Sequence, residues 1–96
     1  MAVSLILHKR FTKRVNEVYD YLNKEWSEQE AKAFIAVLHK KLNALSANPL
    51  LGSLSDTLDD VRTISITSHN RLFYKVYADH VAVLYLKDTR KRRYKR

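Results

Sequence analysis

Residues 61–86 read VRTISITSHNRLFYKVYADHVAVLYL, and the reading of this stretch decides the fold. It contains three runs rich in β-branched and aromatic residues, at 61–66, 71–78 and 80–86. The links between them, TSHN and ADH, are short and polar, as hairpin connections are. The pattern predicts an antiparallel meander of three strands. Alternation divides the middle strand into two faces. Leu72, Tyr74 and Val76 share one, and Arg71, Phe73, Lys75 and Tyr77 share the other. The first is the more apolar and is assigned to the core. The second interleaves cations with aromatics, a composition suited to nucleic acid. A merely solvated sheet face would have the same composition, and spacing alone does not separate the two.

Upstream of the meander the period changes. VSLILH, at 3–8, is apolar and β-branched and reads as a first strand. From Phe11, the residues Val15, Val18, Tyr19, Leu22 and Trp26 recur at steps of three and four, one face of a helix. Thr12 is a candidate cap for its start. Ser27 followed by Glu30 forms a capping box, so a second helix is expected from about Glu28. Its apolar set is Ala31, Phe34, Ile35, Leu38, Leu42 and Leu45. Almost nothing joins the two helices, so they should fold back as a hairpin. Asn48 precedes Pro49, which ends the second helix. Residues 53–60, SLSDTLDD, lack a period and read as a loop. The expected order is β-α-α-β-β-β, an α+β domain with both helices on one face of the sheet. Trp26, Phe34, Leu38 and Tyr74 are expected in the core.

Composition sets the outer bounds. Ninety-six residues make one domain, 1–96, and a 46% hydrophobic share allows a core without staples. The chain has no cysteine, which removes disulfides and cysteine-based zinc sites and agrees with a reducing compartment. No run approaches the roughly 20 apolar residues that span a bilayer. The basic residues of MAVSLILHKR follow its apolar run instead of preceding it, the wrong order for a secretory signal. The expectation is a soluble, cytoplasmic protein. The net charge is +8 and uneven: the tail 87–96, KDTRKRRYKR, sets seven cations against Asp88 alone. Such a block attracts polyanions through counterion release, unless it is only a solubilising tail. His8, His39 and His80 are scattered without ligand spacing, so no metal is expected. A single glycine excludes a glycine-rich phosphate loop, and no cofactor is expected.

The segments YDYLNKEWS (19–27), ANPLLG (47–52), VRTISITSHNRLFYKV (61–76) and VAVLYLKDTR (81–90) occur in an order that resembles the RelE/ParE superfamily of type II toxin–antitoxin toxins. The resemblance spans nearly the whole chain, though each motif is short. It implies the two-helix, curved-sheet architecture and a cognate antitoxin as partner. It also implies one of two activities. RelE-like members cleave messenger RNA on the ribosome, whereas ParE-like members inhibit DNA gyrase without catalysis. A third outcome is an inactive relative that only binds its antitoxin.

Metal-free RNA cleavage needs a deprotonated 2′-hydroxyl, a stabilised pentacoordinate phosphate and a protonated leaving oxygen. The arginine fork suits the phosphate. The resemblance assigns Arg71 to the scissile phosphate and Arg90 to the leaving-group side. Tyr94 matches a C-terminal tyrosine that activates the nucleophile or stacks on a base. Only two residues follow Tyr94, however, where RNA-cleaving members usually continue. A tyrosine with a pKa near 10 is also a poor base at neutral pH unless arginines lower it. His69, two residues before Arg71, is a weaker candidate base. Nucleic-acid contacts are expected from Arg62, Lys75, Lys91, Arg92, Arg93, Lys95 and Arg96. Arg90 and the basic tail lean the reading toward the nuclease.

Overall fold

The structure is a computed structural model that describes residues 2–89. Strand β1 (Ser4–Leu7) leads into helices α1 (Lys9–Glu25) and α2 (Glu28–Ala47). Four strands follow: β2 (Ser53–Leu54), β3 (Arg62–Thr67), β4 (Asn70–Val76) and β5 (His80–Asp88). The sheet order is β1-β5-β4-β3-β2. The β3–β4–β5 meander is antiparallel, as expected, whereas β1 lies parallel to β5. The added element is β2, a two-residue edge strand on β3, within the stretch read as a loop.

The two helices start differently. At α2 the Ser27 hydroxyl accepts the Glu30 N–H at 3.0 Å, and Glu28 and Glu30 occupy the first turn. This is the capping signal read from the sequence. At α1 the N-cap is His8, with no side-chain cap, and the first turn has no acidic residue. Thr12 is not the cap; its hydroxyl donates to the Lys9 carbonyl from inside the helix.

Phe11, Phe34, Leu38 and Leu45 from the helices meet Ile66, Leu72, Tyr74, Val81, Val83 and Leu86 from the sheet. The face containing Leu72 and Tyr74 is therefore the core face, as alternation predicts. Val81, Val83 and Leu86 do not share one parity. The register shifts by one between Phe73–Tyr85 and Tyr74–Val83, and this bulge turns all three inward.

Trp26 departs from the expected core and is 67% exposed. It follows the last helical residue, with φ −121° and ψ −87°, so the helical period no longer sets its direction. Its backbone N–H still bonds the Leu22 carbonyl, but its ring lies outside.

A buried corner fixes the β2–β3 end of the sheet. The Gly52 N–H donates to the Tyr74 hydroxyl at 2.7 Å, and the Arg62 guanidinium donates to the Gly52 carbonyl at 2.7 Å. A Cβ at position 52 would collide with the Thr63 carbonyl oxygen and lie 2.7 Å from the Tyr74 hydroxyl. Burial raises the Tyr74 pKa above the usual tyrosine value; the Gly52 N–H and the Arg62 charge pull the other way.

Candidate nucleic-acid interface

The helix-free face of the sheet is built by register. Arg71 lies opposite Ser65 on β3 and Lys87 on β5, and Phe73 lies opposite Thr63 and Tyr85. Directly paired residues present their side chains on the same face. Arg71, Lys87, Phe73 and Tyr85 thus belong to one surface. Helix α1 completes it, because the chain leaves β1 at Leu7 and enters α1 beside the C-terminal half of β5. Arg10, Lys13 and Arg14, spaced i, i+3 and i+4, share one flank of that helix. Together these residues line a groove of about 690 Å³, which Glu17, Asp88 and Thr89 also border.

Within the groove the Phe73 and Tyr85 rings stack at 4.7 Å with planes 10° apart. The Arg10 guanidinium lies 4.4 Å from the centre of the Tyr85 ring. Arg14 pairs with Glu17 at 3.0 Å. Among the described residues, Arg10, Lys13, Arg71 and Lys87 have no ion-pair partner. The groove is thus a concave positive surface, with more cation than its own carboxylates neutralise. It can hold an anion through forked and point-charge donors.

The residues proposed from sequence are distributed unevenly. Arg71 lies in the groove. Lys75 is on the same face further along β4, 5.5 Å from the Tyr77 ring, which stacks on His80. Phe73 is buried, at 8% exposure, so it is not the open stacking surface that alternation suggested. Arg62 lies opposite Tyr74, on the helix-side face, with its guanidinium held at the Gly52 carbonyl. The structure does not bring it to Arg71. His69 sits in the β3–β4 turn and lines an adjoining cleft with Trp26, Tyr21, Val37 and Phe34, which shares Arg14, Glu17 and Asp88 with the Arg71 groove but does not include Arg71 itself. Its carbonyl accepts the Thr89 N–H at 2.8 Å. Arg90, Lys91, Arg92, Arg93, Tyr94, Lys95 and Arg96 lie outside the described residues. Among the described residues, no cluster of His, Cys, Asp or Glu could hold a metal ion, and no helix is long and apolar enough to cross a membrane.

Sequence reading missed Arg10, Lys13, Arg14 and Tyr85. The helical cations were visible as an i, i+3, i+4 set that begins in a first turn without acids. The alternation of VRTISI also placed Arg62 with Ile64 and Ile66, on the apolar side.

Two helices packed on one face of a mixed five-stranded sheet form an architecture shared with small toxins of type II toxin–antitoxin systems. The family model for the ParE toxin of type II toxin–antitoxin systems, parDE, matches residues 5–93, and the chain belongs to that family. A search of the curated proteins finds no match. Among solved structures, the chromosomal ParDE toxin–antitoxin system of P. aeruginosa is similar over 91% of this chain and 96% of that one, with TM-score 0.78 and 17% identity. The archaeal RelE–RelB complex from Pyrococcus horikoshii is similar over 93% and 97%, with TM-score 0.65 and 16% identity. The YoeB dimer from Staphylococcus aureus is similar over 91% and 97%, with TM-score 0.64 and 17% identity. These likenesses establish the shared fold.

Proposed function

We propose that this toxin acts on RNA through the α1–β4–β5 groove, as a ribosome-dependent messenger endonuclease of the RelE-like kind. The observation that carries this reading is the groove itself. Arg71 and Lys87 stand opposite each other on its floor, and Thr89 borders it immediately before Arg90 in the sequence. In this reading Arg71 holds the scissile phosphate through its bidentate fork, and Arg90 acts on the leaving-group side. Tyr94 is the candidate for activating the 2′-hydroxyl, and the remaining tail cations hold the flanking backbone. The cytoplasm is the site of action. A cognate antitoxin is the restraining partner, as in the toxin–antitoxin complexes that share the fold.

A second reading has its own support. The family model is that of ParE, and the P. aeruginosa ParDE likeness carries a higher TM-score than the RelE and YoeB likenesses. On that reading the same cations dock the protein on DNA gyrase without catalysis. Expression of the chain, with messenger cleavage and gyrase supercoiling read in parallel, separates the two. The nuclease reading expects cut transcripts and normal supercoiling. Intact transcripts with blocked supercoiling would overturn it in favour of gyrase. Growth without arrest would leave a relative that only binds its antitoxin.

A further inference from the structure

The groove contains a guanidinium that the reading above does not require. Arg10 and Phe73 both approach the Tyr85 ring closely, at 4.4 Å and 4.7 Å. The Tyr85 ring thus contacts both the nearly parallel Phe73 ring and the Arg10 guanidinium. Phe73 is buried, and the pair is therefore not a free platform for a base. It is a mount that holds a guanidinium over an aromatic face, a contact that does not itself consume the N–H donors. Arg10 has no ion-pair partner among the described residues, and Glu17, on the same flank of α1, is taken by Arg14. The residues after Thr89 include no Asp or Glu. Lys9 and Arg10 also stand at the positive end of the α1 dipole, where cations are locally unfavourable and an anion is favoured.

We propose that Arg10 is a second phosphate-binding guanidinium of the groove, aligned by the Phe73–Tyr85 stack, and that Arg10 and Arg71 grip two points along the backbone of one RNA strand. The identity of the ligand rests on the RNA reading; the site does not depend on cleavage. Arg10 contacts the phosphate, and Tyr85 is a positioning residue that acts through it.

The test uses the full chain and a fluorescein-labelled 12-nucleotide oligouridylate, titrated over a range of salt. Arg10→Ala should weaken binding about tenfold at low salt and reduce the slope of log affinity against log salt by about 0.7. Tyr85→Leu should reproduce part of that loss, and Tyr85→Phe should restore it, because the ring is kept. Melting curves for each variant separate lost binding from lost folding. If Arg10→Ala binds with unchanged affinity and slope, the site does not exist. If Tyr85→Leu, still folded, binds as the parent does, the mount is wrong. A parent chain that cuts no messenger but loses oligouridylate affinity on Arg10→Ala would sink the nuclease reading and sustain the Arg10 site. A parent that cuts messenger while Arg10→Ala leaves oligouridylate binding unchanged would do the reverse.

Discussion

Arg62 and Arg71 stand near the starts of neighbouring strands, yet one serves the corner beside Gly52 and the other the groove beside α1. At the corner, the Arg62 guanidinium donates to the Gly52 carbonyl, and the Tyr74 hydroxyl accepts the Gly52 N–H. Both backbone groups of a buried glycine are satisfied, and the side chains that satisfy them are committed. At the groove, Arg71 has no ion-pair partner among the described residues, and Arg10 rests on an aromatic mount. Substitutions at the corner should therefore lower stability, and substitutions at the groove should lower binding.

The largest stability effect is expected from Gly52→Ala. The added Cβ meets the Thr63 carbonyl oxygen, a backbone atom that cannot swing aside, and the Tyr74 hydroxyl at 2.7 Å. The loss should be about 3 kcal/mol, the upper part of the overpacking range. Denaturant unfolding measures it; a loss under about 1 kcal/mol would mean that the corner is soft.

Tyr74→Phe comes next. It leaves the Gly52 N–H without its acceptor in a buried place and should cost about 1–3 kcal/mol. A pH signature accompanies it. Because the folded-state pKa of Tyr74 is raised, the folded chain holds this proton more tightly than the unfolded chain does. That contribution is intact below the ordinary tyrosine value near 10 and is lost as pH rises through the folded value. Alkaline melting should fall less steeply in Tyr74→Phe than in the parent. Parallel slopes would show that the hydroxyl does not carry the effect.

Arg62→Ala should cost about 1.5 kcal/mol, in the range of a hydrogen bond from a charged donor, with oligonucleotide affinity nearly unchanged in the protein that remains folded. A marked loss of affinity without a loss of stability would move Arg62 back to the binding surface.

The helical hairpin, the Ser27 cap and the meander were legible in the sequence because each depends on local pattern and short links. The core face of β4 was legible for the same reason, since Leu72 and Tyr74 keep the alternation. Trp26 was misassigned because it lies one residue beyond the helix, where the period stops. The burial of Phe73 was not legible. It depends on the stack with Tyr85, set by strand register, and on α1 starting beside β5, set by the parallel β1–β5 pairing. Neither contact is local. Arg62 is the intermediate case: its face was written in the alternation with Ile64 and Ile66, but its bond to Gly52 was not.

The smallest stability effect is expected from Arg71→Ala, and it is the sharpest test of the comparison. Arg71 is partly exposed, lies opposite the neutral Ser65 and the cationic Lys87, and has no ion-pair partner among the described residues. Removing it deletes no buried hydrogen bond and relieves some repulsion from Lys87. The change in unfolding free energy should stay within about 0.5 kcal/mol. Growth arrest and oligonucleotide binding should nevertheless collapse, and Arg71→Lys should rescue poorly, since a point charge cannot replace the planar fork. The two arginines then separate on two axes, with Arg62 moving the melting curve and Arg71 moving the binding curve. If Arg71→Ala instead cost more than about 1.5 kcal/mol, Arg71 would be a structural residue like Arg62, and the groove would lose the side chain on which its function is argued.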